Sequence, residues 1–335
     1  MNLSLIRTAA TAVLGTGLLA VALVGGGAAI AADPITLKLG YSLPPTSHYG
    51  VGADAFAKAL AEKTDGKYVV EMFPSNALGG EREMIEGAQF GTIDLVVTST
   101  GPVGNFVPDT LTFDIPFLFR DYAHARGVLD GEIGQAVLDK FPERGLIALA
   151  WGENGFRHLT NNKVAVTEPE DVKGLKIRTM QNDVHMRAFT TLGALPTPMA
   201  FPEVFTAMQQ GTIDGQENPI PVIVSGNFAQ VQKYLSLTGH VYSPALFIMA
   251  PSRWDELSDA EKTAFKEAAK IGADAMRKQV ETFEADGIAK LEAAGMTVVE
   301  HPDGARFAEA LAPAYAEYEK RFDPALIKRI REWQP

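Results

Sequence analysis

The chain has 335 residues, of which 46% are hydrophobic and 21% charged, with 30 Lys and Arg against 41 Asp and Glu. That balance suits a folded globular protein with a large core, and excludes a disordered chain or a multi-span membrane protein. The formal charge of −11 opposes nucleic-acid binding, and the absence of cysteine removes disulfides, thiolate nucleophiles and sulfur-ligated metal sites.

Residues 1–31 read as an export leader. Arg7 precedes an uncharged stretch from Thr8 to Val24, a Gly25-Gly26-Gly27 break and an Ala29-Ile30-Ala31 processing site, so cleavage is expected after Ala31 in a periplasmic protein. An uncleaved anchor is the alternative, since Thr8 to Ala32 would cross a bilayer if retained. The mature chain starts with an alternating strand, Ile35 to Tyr41, followed by an amphipathic helix carrying Val51, Phe56 and Leu60 and stopped at Gly66. A strand at Tyr68–Phe73, a helix at Glu81–Phe90 and a strand at Leu95–Thr98 continue a β-α-β order that predicts parallel strands covered by helices. Further on come a helix near 132–144, strands at Leu146–Trp151 and Lys176–Thr179, and helices ending at Leu192 and Gln210. Gly91-Thr92-Ile93-Asp94 recurs as Gly211-Thr212-Ile213-Asp214, and Gly104-Asn105-Phe106 as Gly226-Asn227-Phe228. The repeated order predicts two related α/β lobes, because a chain of this length usually divides its core. Ser258 and Glu261 form a capping box opening a helix from Asp259 to Ala294, which either breaks at Gly272 or Gly287 or crosses both lobes; crossing is the favoured reading. A strand at Met296–Val299 and a charged helical tail follow.

Little in the chain suggests covalent or metal chemistry. No two of the six histidines are spaced as a helical metal pair, so no metal or cofactor is expected. No nucleophile elbow, Walker loop or EF-hand spacing occurs, and acidic pairs such as Glu81 with Glu83 fall in helix first turns, where they read as solvated charges. The protein is therefore not expected to be an enzyme. The informative stretch runs from Trp151 to Asn218. Arg178 ends a short apolar strand, where open α/β sheets place ligands, although from spacing alone a solvated surface arginine is the commoner reading. Arg157 follows Asn154-Gly155, read as a turn after a strand ending at Trp151, and would reach an interlobe crevice or form an interlobe ion pair.

Three segments carry a more specific signal: GLKIRTMQN, PTPMAFPEVFTAMQQGTIDGQENP and NALGGEREMIEGAQFGTIDL. Together they resemble the DctP-type solute-binding proteins of tripartite ATP-independent periplasmic (TRAP) transporters. The resemblance implies a two-lobed α/β periplasmic-binding-protein fold, type II-like, with a long helix spanning both lobes. It implies residues 32–154 with 243–283 as lobe I, 155–242 with 284–310 as lobe II, and 311–335 as a helical tail. It also implies a monomer that closes on a small organic acid and delivers it to the small and large TRAP permease subunits.

Carried over position by position, Arg178 resembles the arginine that clamps a ligand carboxylate through two parallel hydrogen bonds. Arg157 matches an arginine supplying a second contact, Asn218 the asparagine of the QENP motif, and Phe201 an aromatic packed on the ligand body. His240, Trp151 and Ser99 complete the candidates. Ser99 stands where sialic-acid receptors of this family carry an acid, which favours a compact dicarboxylate, hydroxy acid or keto acid; sulfonates and ectoine-like zwitterions stay open. A periplasmic ABC receptor and an exported α/β enzyme are the competing readings.

Overall fold

The structure is a computed structural model and describes residues 33–335. The leader and its cleavage after Ala31 lie outside the described residues. In chain order the first elements are β1 (Ile35–Tyr41), α1 (His48–Lys63), β2 (Tyr68–Phe73), α2 (Glu81–Gln89), β3 (Leu95–Ser99) and α3 (Thr100–Val103). Then come α4 (Tyr122–Asp130), α5 (Glu132–Leu138), β4 (Ile147–Asn161), β5 (Lys176–Thr179), α6 (Asp183–Thr191), β6 (Leu195–Pro198), α7 (Phe201–Gln209), β7 (Gly215–Pro219) and α8 (Ile220–Ser225). The chain continues through β8 (Tyr234–Met249), α9 (Pro251–Asp255), α10 (Asp259–Ala293), β9 (Thr297–Val299), α11 (Gly304–Ala310), α12 (Ala312–Arg321) and α13 (Pro324–Arg331).

The strands form one sheet in the order β2-β1-β3-β8-β4-β7-β5-β6, with β9 on β8. At one end β2, β1 and β3 are parallel, and at the other β6, β5 and β7 are parallel. Each trio abuts the central pair of long strands, β4 and β8, antiparallel to each other over their length. The two ends therefore repeat the same β-α-β-α-β-α order. The two lobes built on these ends share β4, β8 and α10, so residues 34–335 cohere as one compact unit.

The repeated Gly-Thr-Ile-Asp has the same physical use at both ends. Gly91 (φ 74°) and Gly211 (φ 70°) turn the chain out of α2 and α7 in a left-handed conformation that suits glycine. Asp94 Oδ2 then accepts from the Lys38 backbone N–H at 2.8 Å, and Asp214 Oδ2 from that of Lys176 at 2.9 Å. Each aspartate thus satisfies a donor on the strand neighbouring its own, β1 in one half and β5 in the other.

One stretch needs correction. The strand starting near Leu146 does not stop at Trp151; β4 runs on to Asn161, and Asn154-Gly155 is a bulge in it, not a turn, with a register shift between Glu153 and Gly155 (φ 118°). The tail is helical, and its Tyr315, Tyr318, Ile327, Ile330 and Trp333 join the cluster built on Val96, Phe113 and Trp151.

α10 is capped by Ser258 and Glu261 as expected and runs unbroken for 35 residues, roughly 52 Å at 1.5 Å per residue. Its glycines are close-approach points rather than breaks. A Cβ on Gly272 would come within 2.7 Å of the Gly52 carbonyl oxygen of α1, and one on Gly287 would overlap Ile220 of α8. The helix thereby packs on both ends of the sheet. Among the described residues no helix is long and apolar enough to cross a membrane.

Candidate functional site

The carboxyl ends of β1, β3, β5 and β7 converge on a cleft with about 280 Å³ of empty space, part of it open to solvent. Open α/β sheets carry their ligands at such strand ends. Ser42 and Ser99 enter from one trio, Arg178 and Asn218 from the other, and Asn154 from the β4 bulge. The N-termini of α1, α2 and α7 bring Tyr49, Glu81 and Phe201, so the peptide dipoles around the cleft favour a bound anion.

Arg178 is 2% exposed. Its Nε and Nη2 donate to the Met199 carbonyl oxygen at 3.1 and 2.8 Å, which fixes one edge of the guanidinium and leaves the Nη1–Nη2 edge without a partner among the described residues. No carboxylate among the described residues forms an ion pair with it, in contrast to Arg157 and Arg126. Burial lowers its pKa to about 10; Glu217 and Glu81 pull upward and Arg157 downward, and the group stays charged at neutral pH.

Arg157, Trp151 and His240 do not line this cleft, contrary to expectation. Arg157 is fully buried in an ion pair with Glu217: Nε donates to Oε2 at 2.5 Å and Nη2 to Oε1 at 2.9 Å. The two residues meet because antiparallel register sets β4 beside β7, pairing Arg157 with Pro219 and Leu159 with Glu217. Nη2 also donates to Asn218 Oδ1 at 3.1 Å, so Arg157 orients a cleft residue instead of entering the cleft. Trp151 is core: its indole N–H donates to the Gly134 carbonyl at 3.1 Å and its ring stands edge-on to Phe113. His240 borders a separate, mainly apolar cavity, with Nε2 3.3 Å from Glu217 Oε2 and Nδ1 2.7 Å from Thr238 Oγ1.

Glu81 corrects the reading of a solvated helix-start charge. It lines the cleft and accepts from Thr98 Oγ1 at 2.9 Å; burial raises its pKa against the pull of that hydrogen bond and of Arg178. Glu217 was passed over in favour of Asn218. Burial pushes its pKa up, but Arg157, His185 and His240 outweigh burial and hold it well below the usual carboxylate range. Asn154 and Tyr49 were also missed. For Glu217 the signal was present, since an acid within a strand that reads as buried requires a buried cation. Among the described residues no cluster of three or more His, Asp or Glu is arranged to hold a metal ion.

Residues 39–321 match the family described as bacterial extracellular solute-binding protein, family 7 (DctP). The chain belongs to that family. A solute-binding protein of Verminephrobacter eiseniae is 54% identical over 306 residues, covering 91% of each chain. Among solved structures, a TRAP periplasmic solute-binding protein from Polaromonas sp. JS666 bound to D-erythronate is 58% identical with a TM-score of 0.89, over 90% of this chain and 99% of that one. A Bordetella TRAP periplasmic solute-binding protein with density assigned to pantoate is 59% identical with a TM-score of 0.88, over the same shares. Family and neighbours are substrate-binding transport proteins of the periplasm.

Proposed function

We propose that this chain is the exported receptor of a TRAP importer and that its cleft captures a small hydroxy monocarboxylic acid. The observation that carries the reading is Arg178: a buried guanidinium lining the cleft, with one edge fixed by Met199 and no ion pair to a carboxylate among the described residues. A buried charge lacking a partner is costly, and a ligand carboxylate would complete it with two parallel, little-screened hydrogen bonds. Asn218 and Asn154 add polar groups, Phe201 and Met180 supply apolar walls, and Ser99 and Ser42 offer hydroxyls.

Glu81 narrows the ligand. Its carboxyl accepts hydrogen bonds from hydroxyls but would repel a second carboxylate, which disfavours the dicarboxylate considered from the sequence. The two solved relatives point the same way. D-erythronate and pantoate are both four-carbon-backbone monocarboxylates with hydroxyls at carbons 2 and 4. On this reading lobes I and II meet across β4, β8 and α10, the ligand bridges them, and the closed form is recognised by small and large membrane subunits. The relatives' shared TRAP name favours that permease over an ABC one, and the ligand leaves unchanged.

Calorimetry with D-erythronate, pantoate, a C4 keto acid and succinate tests the proposal. A hydroxy monocarboxylate should bind at least tenfold more tightly than succinate and be recovered intact. Preference for succinate would overturn the ligand class, chemical conversion would overturn the receptor role, and no binding by any of the four acids would overturn the function.

A further inference from the structure

His48, the first residue of α1, is fully buried and stands behind the cleft, not in its lining. Its Nε2 lies 2.9 Å from Asn154 Oδ1, and its Nδ1 is buried without a partner among the described residues. Asn154 is the extra residue of the β4 bulge and does line the cleft; its Nδ2 forms no hydrogen bond within the described protein. Two arrangements fit the contact. In one, Nε2 carries the hydrogen and donates to the amide oxygen, leaving a lone pair on buried Nδ1. In the other, the amide is reversed, its NH₂ donates to Nε2, and a buried Nδ1–H has no acceptor. Orphaned buried N–H donors are rarer than under-satisfied acceptors, so the first arrangement is selected.

We infer that His48 is a positioning residue for ligand recognition: its Nε2–H holds the Asn154 carbonyl and thereby turns the Asn154 amide hydrogens into the cleft. The cleft then presents a donor at Asn154 and an acceptor at Glu81, two polar groups that read the hydroxyl pattern of a ligand whose carboxylate sits on Arg178. Burial supports a neutral ring, lowering the imidazole pKa to about 4 despite the opposing hydrogen bond to Asn154. The inference rests on the proposed function, because it assumes an organic acid in this cleft.

A double-mutant cycle with D-erythronate as probe tests it. His48→Leu should raise Kd about tenfold, His48→Gln should stay within threefold because its amide can donate from a similar place, and His48→Leu should have no further effect in an Asn154→Ala background. An equal effect of His48→Leu in both backgrounds, or none in either, overturns the inference. Independently of whether the leucine variant folds, ¹⁵N NMR of the wild-type imidazole should show Nε2 protonated and Nδ1 bare; a protonated Nδ1 overturns it. Wild-type protein that binds D-erythronate while the variants are uncoupled defeats this inference alone, whereas wild-type protein that binds no organic acid defeats the functional reading beneath it.

Discussion

Arg157 binds Glu217 and Asn218 through Nε and Nη2 and leaves Nη1 without a partner among the described residues, whereas Arg178 spends one edge on the Met199 carbonyl and forms no ion pair with a described carboxylate. The same substitution should therefore have opposite consequences at the two positions. Arg157→Ala strands Glu217 as an uncompensated buried charge and should cost about 3–5 kcal/mol of stability. Arg178→Ala removes a buried cation that has no acidic partner, so the unliganded protein should melt at or above the wild-type temperature while affinity for the carboxylate falls about a hundredfold or more. Paired thermal melts and calorimetry check this; a large stability loss in Arg178→Ala with affinity retained would reverse the assignment. The sequence made Arg178 legible through its strand-end position and its GLK-x-R context. It did not make the Arg157–Glu217 pair legible, because that pair depends on the register between β4 and β7, strands more than fifty residues apart.

Among the elements, β1, β2 and β5 fall where alternation and flanking breakers put them, since each is short and bounded by local signals. β4 and β8 were harder to read for one reason: both are buried over most of their length, so neither shows the alternation of a half-exposed strand. Asn-Gly, ordinarily a turn signal, is used inside β4 as a bulge, and that bulge aims Asn154 at the cleft. The long helix was legible from its capping box and stripe, but the role of its glycines was not. Gly272 lets α10 lie against α1, so Gly272→Ala should destabilise by about 1–3 kcal/mol through overpacking, despite the better helix propensity of alanine. Gly304, at the start of α11 with open space around it, is the matched control, and Gly304→Ala should leave the melting temperature within about a degree or raise it. Equal effects at the two positions would show that the α1–α10 crossing is not tightly packed.

At the scale of the whole molecule, two β-α-β units of the same order face each other across a shared pair of long strands, and their strand ends meet at one cleft. The Gly-Thr-Ile-Asp echo revealed that duplication in the sequence. The continuity of the sheet through β4 and β8 was hidden, because it arises from pairing between segments separated by most of the second half of the fold. On the proposed function, this architecture explains why a single buried guanidinium can matter to the entire protein: it lines a cleft with groups supplied by the other half, and a ligand would complete the set. A crystal structure of the protein grown with D-erythronate would test that claim most directly. The carboxylate oxygens should lie about 2.7–2.9 Å from Nη1 and Nη2 of Arg178, with hydroxyls directed toward Glu81 and Asn154. A ligand seated in the cleft with its carboxylate elsewhere and Arg178 still unpaired would contradict the account.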